Sequence, residues 1–116
     1  MKLESSNSSS PNADRASYYG FNDVVGFRDF LVYVLSYSPD MFPEEEWRSP
    51  NEQMNLERAF VGLSYGLTLF QVHEKHGDVV SKCRALIEQA YLEYRAGRDL
   101  DGQHLLEQVE DLIRKV

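Results

Sequence analysis

Apolar residues recur along most of this chain at the three- and four-residue steps that place them on one side of a helix, and the pattern predicts four helices. The first covers Asn22 to Ser36, where Val24, Phe27, Leu31, Val34 and Leu35 keep the spacing and Phe30, Tyr33 and Tyr37 form a neighbouring aromatic stripe. Asn22 reads as its N-cap, Asp23 as an acid in the first turn, and Pro39 as its stop. Inside it, Phe30 to Leu35 spells FLVYVL, a β-branched and aromatic run that suits a strand equally well. As a strand it would make the fold α+β.

The second helix has the plainest start signal. Ser49, Pro50, Asn51 and Glu52 form a capping box with proline at the first helical position. From Leu56 onward, Phe60, Val61, Leu63, Leu67, Leu69, Phe70 and Val72 place apolar groups on nearly every side, as in a helix covered by its neighbours. It is expected to end near His76, with Gly77 as a left-handed cap. The third helix, Asp78 to Ala96, is amphipathic and stops at Gly97; Val79, Val80, Cys83, Leu86, Ile87, Ala90, Tyr91 and Tyr94 lie on its apolar face. The fourth follows the turn RDLD and aligns Leu105, Leu106, Val109, Leu112, Ile113 and Val116. On its outer side Glu110 precedes Arg114 and Asp111 precedes Lys115 by four residues, the favourable order for ion pairs. Short connections make neighbouring helices antiparallel, so the chain reads as all-α: an up-and-down bundle of about four helices in one domain, 18–116.

Two stretches fall outside this periodicity. Residues 1–17, MKLESSNSSSPNADRAS, have too little apolar surface to offset the entropy of ordering them and read as a disordered tail. No apolar stretch follows Lys2, which argues against a secretory signal, and Glu4 and Asp14 spoil a mitochondrial presequence. Tyr18, Tyr19 and Phe21 then either pin the chain to the core or form a docking patch. Between Ser38 and Ser49, Pro43 followed by Glu44, Glu45 and Glu46 resembles the first turn of a short helix. Trp47 comes directly after it, placed to plug the end of the core or to anchor an interface.

Composition narrows the function. The chain has 116 residues, 42% of them hydrophobic, and a net charge of −7. That acidic balance argues against general nucleic-acid binding, which needs a basic face to displace counterions. The single cysteine, Cys83, leaves no internal disulfide and points to a reducing compartment, the cytoplasm. No apolar run reaches the roughly 18 residues of a membrane span. From Phe21 to Arg58 eight acids face three bases, a net of −5, so an acidic face beside Phe42 and Trp47 could steer a basic partner.

Candidate chemistry is sparse. His73 and His76 are three residues apart near the expected end of the second helix, and His104 with Glu107 repeats that spacing on the fourth. Such pairs put two ligands on one helix face, and facing helices of bundles do build metal sites this way. These pairs sit at helix ends, however, where histidine commonly meets the negative end of the helix dipole. No metal or cofactor is therefore expected, and a ligand- or metal-binding bundle using these four residues is the rival reading. Cys83, on an apolar face, reads as a small buried hydrophobe. A phosphate loop, a serine elbow and a paired-carboxylate spacing are all missing, so no catalysis is expected.

Ala59, Gly62 and Gly66 share one face of the second helix. Each glycine there costs about 1 kcal/mol relative to alanine, so a close approach must compensate. That approach comes from Phe30 or Tyr33 of the same chain, from a homodimer seam, or from a partner helix. The expectation is a protein that works by protein–protein binding, as an adaptor, chaperone or toxin-neutralising partner. Its contact surface would be Phe42, Glu44, Glu45, Glu46 and Trp47.

Overall fold

The computed structural model describes residues 18–69 and 77–115, and among them it is helical with no strand. Four helices follow in order: α1 (Val24–Tyr37), α2 (Leu56–Leu67), α3 (Gly77–Arg95) and α4 (Asp99–Arg114). They pack as a ring, α1 on α2, α2 on α3, α3 on α4, and α4 back on α1, with the α3–α4 pair the most extensive. The expected four-helix bundle is the fold. The tail, residues 1–17, lies outside the described residues, as do Phe70, Val72 and Val116.

The FLVYVL run is helical. A strand would put Phe30, Val32 and Val34 on one face, but Phe27, Phe30, Leu31 and Val34 are buried while Val25 and Val32 face outward. The cap of α1 is Asp23, one residue later than expected: its carboxylate accepts from the Gly26 N–H at 2.8 Å, and Asn22 lies outside the helix. The Arg28 guanidinium donates to the Ile113 carbonyl at 3.3 Å and so ties α1 to the last turn of α4.

The second helix departs most from expectation. The capping box at Ser49 closes only a single 310 turn, Pro50–Glu52, and Gln53 then turns extended. Ser49 spends its hydroxyl on the Asn51 and Glu52 side chains instead of the backbone. The cap of α2 is Asn55, whose side chain accepts from the Arg58 N–H at 2.8 Å. The helix ends at Leu67, more than two turns before His76. There the Thr68 hydroxyl and N–H both bond the Tyr65 carbonyl, at 2.6 and 3.0 Å, tightening the last turn until it stops. Gly77 is the first residue of α3 and not a left-handed cap; Gly97 is one, with φ +83°, and closes α3 as expected. The RDLD turn is shorter than expected, because Asp99 already begins α4 and two acids stand in its first turn. On the outer face of α4, Arg114 takes both Glu110 and Asp111, at 3.9 and 2.8 Å.

Aromatic rings fill the core where glycines make room. A Cβ on Gly62 would stand 2.8 Å from both Phe30 and Tyr19, and one on Gly102 would stand 2.8 Å from Tyr94. Phe21, buried at the entry to the fold, contacts Phe27, Phe30 and Tyr65 with ring centroids 5.1–5.9 Å apart.

Candidate functional site

In the segment between α1 and α2, one side chain, Gln53, bonds the backbone at several points. The Gln53 amide nitrogen donates to the carbonyls of Glu45, Arg48 and Ser49 at 2.9, 2.8 and 3.3 Å. Its oxygen accepts from the Glu45 N–H at 2.7 Å. Both backbone groups of Glu45 are therefore engaged by Gln53, and Pro43 to Glu46 forms no helix despite its proline and acids. Arg58 anchors the clasp from α2 by donating to the Gln53 and Asn51 carbonyls at 2.6 and 2.7 Å.

Arg48 joins this loop to the start of the fold. Its guanidinium lies 4.0 Å from the Tyr18 ring centroid and 4.1 Å from that of Trp47, and it donates to the Tyr18 carbonyl at 2.7 Å. Its Nε and second terminal nitrogen have no hydrogen-bond partner and are covered, so ring faces take the place of polar partners. Tyr18 in turn donates its hydroxyl to the Glu52 carbonyl at 2.9 Å, and Tyr19 donates to the Arg58 carbonyl at 3.0 Å.

The five residues expected to bind a partner divide in two. Phe42 is half-buried, with its ring 5.6 Å from Tyr33, and Glu45 accepts from the Trp47 indole N–H at 3.2 Å; both hold the loop together. Glu44 and Glu46 are exposed, and Trp47 is 65% exposed. Trp47 is therefore no plug of the core. It stands in solvent with its ring fixed by Arg48 on its face and Glu45 at its edge. Met41, 69% exposed, belongs to the same loop and carries no helical or charge pattern that would single it out. Arg48 and Gln53 are supporting residues that sequence reasoning missed, with only the adjacency of Arg48 to Trp47 hinting at a stack; Tyr18, singled out with Tyr19 and Phe21, ties the start of the fold to this loop.

Ala59, Gly62 and Gly66 are buried, and the rings of Phe27, Phe30 and Tyr19 lie over the glycines. The small-residue face is filled from within the chain. His73 and His76 lie outside the described residues. His104 and Glu107 are exposed on α4, and among the described residues no three His, Cys, Asp or Glu side chains gather as metal ligands. Cys83 is fully buried, and loss of water pushes its thiol up to about 11. Tyr94 is raised to about 12 by burial, with the Asp99 and Glu107 carboxylates adding to the effect. Neither group is set up as a nucleophile.

No family model matches the chain, and no curated protein or solved structure matches it either. Among the described residues, no helix is long and apolar enough to cross a membrane.

Proposed function

We propose that this protein binds another protein through the loop that presents Trp47, and carries out no chemistry of its own. The observation that carries this reading is an indole in solvent whose orientation is already set. Holding a large ring in one place before contact lowers the entropy lost on binding, and tryptophan is the residue most enriched among the anchors that dominate interface energy. Met41 extends the apolar contact, and Glu44 and Glu46 give it an acidic rim. The complementary partner has an apolar pocket ringed by Lys or Arg. An overall charge of −7 supports a basic protein over a nucleic acid, and a single buried thiol suits the cytoplasm.

The test is affinity capture from the native cell extract, read by mass spectrometry at low and then moderate salt. One basic protein should be retained and then released as salt screens the rim. Trp47→Ala should abolish its capture, and Glu44→Gln with Glu46→Gln should weaken it, with the helical circular dichroism unchanged in both. Undiminished capture by Trp47→Ala would falsify this surface.

A further inference from the structure

We propose that the groove between α2 and α3 docks an amphipathic helix of another protein, one whose apolar face is flanked by basic residues and ends in an acid. The proposal is independent of the Trp47 surface, since no residue that fixes Trp47 lines this groove.

The groove is open along its length and offers about 670 Å³. Phe60 and Ile87 form its floor, Tyr65 and Tyr91 its sides, and Val61 and Leu92, 46% and 58% exposed, stand one on each wall. Among the described residues, bundle packing does not cover it, because α1 uses the opposite side of α2, where Gly62 and Gly66 lie. Phe60, near the start of α2, meets Tyr91 and Tyr94 near the end of α3, and Thr68, after the end of α2, lines the groove together with Arg84 nearer the start of α3, so the two walls run antiparallel. From Glu57 to Thr68 it extends about 16 Å, three helical turns.

The walls select the form of the occupant. Both are helices whose backbone groups bond internally, so an extended peptide over this apolar floor would leave its own N–H and C=O groups unpaired. A helix brings its bonds with it and seats side chains at three- and four-residue steps. Charge selects the sequence. Glu57 marks the end beside Leu92, Glu88 the middle, and Arg84 the end beside Thr68, and none of the three has an ion-pair or hydrogen-bond partner among the described residues. Cations opposite the two acids and an acid opposite Arg84 fix both register and direction. A second copy of this chain fits poorly. Its exposed apolar stripe on α1, Val25 and Val32, carries Asp29 between them and would bring an acid to an acidic wall.

The experiment titrates the full-length protein with a synthetic helical peptide, followed by residue-resolved NMR. The peptide has leucines along one face, two flanking lysines and one terminal glutamate; a second peptide has these charges exchanged. Saturable shifts confined to 57–68 and 84–92, about tenfold weaker binding of the exchanged peptide, and loss of binding in Leu92→Glu with helicity retained are expected. Trp47→Ala should bind the peptide unchanged. Equal binding of both peptides, or shifts outside the groove, overturns the proposal. So does self-association that Leu92→Glu abolishes, which would assign the groove to a second copy.

Discussion

Gly66 lies under the ring of Phe27 so closely that a methyl group on its α-carbon would stand 2.0 Å from Cδ1. Phe27 is fully buried among α1, α2 and the entry segment, so its ring has no free direction in which to retreat. Gly66→Ala should therefore destabilise the fold, although alanine is by itself the better helix former by about 1 kcal/mol. Overpacking of this kind costs roughly 1–3 kcal/mol, and urea denaturation should show the midpoint falling. Gly77→Ala is the contrast: its α-carbon faces open space at the start of α3, and the same experiment should show no loss.

Gln53 ties down the loop that carries Trp47: its two amide hydrogens are shared among three carbonyls, and its oxygen accepts one N–H. Gln53→Ala should cost about 1–3 kcal/mol by leaving half-buried backbone groups unpaired. Trp47 is the only tryptophan in the chain, so its fluorescence anisotropy reports the loosening directly and should fall. Gln53→Glu should behave no better, because a carboxylate cannot donate to the three carbonyls.

Arg48→Lys keeps the charge and discards the plane. An ammonium lacks the flat surface that lies beside both Tyr18 and Trp47, so stability should fall by about 0.5–1 kcal/mol. The Trp47 emission maximum should shift to the red as water reaches the ring face that Arg48 now covers. An unshifted spectrum would show that the stack does not hold in solution.

Stability should decline on the alkaline side. The folded state holds the Cys83 thiol neutral up to about 11, whereas the unfolded chain ionises it near 9.0, and Tyr94 follows one step higher, from 10.0 to about 12. Below pH 9 both contributions are intact. Above it the unfolded state loses protons that the folded state keeps, so unfolding becomes easier with rising pH, by on the order of 2 kcal/mol for Cys83 across that window. Cys83→Ala should flatten the lower part of this decline in denaturation midpoints measured from pH 8 to 11. At pH 8 the native thiol should also resist alkylating reagents until denaturant is added. Glu93 acts at the other extreme: its hydrogen bond from Arg98 holds its carboxyl below the usual range, so that contribution is lost as pH falls.

The bundle was legible because helical periodicity is a property of neighbouring residues. α3 begins and ends within one residue of the pattern, and Gly97 closes it with the left-handed turn that only glycine adopts freely. Helix ends were less legible, because several side chains compete to cap. The sequence points to Asn22 and Ser49 as caps, whereas Asp23 and Asn55 are the residues that cap α1 and α2. Which one bonds the backbone depends on what else its oxygen can reach, and the Ser49 hydroxyl reaches Asn51 and Glu52.

Of the loop, the residue types alone marked Trp47 and its acids and no more. Whether Trp47 is buried depends on what packs beside it. Whether Pro43 to Glu46 winds into a helix depends on Gln53, whose approach to Glu45 is set by the path of the intervening chain. Composition, spacing and charge determined an acidic four-helix protein with rings and glycines available to mate. Only the tertiary structure decided that those glycines seat Phe27 and Phe30 of the same chain, that the indole stays in water, and that, among the described residues, α2 and α3 leave a groove between them. The reason is physical: periodicity is written at steps of three and four residues, whereas exposure and side-chain clasps are settled by groups that meet only after the helices have packed.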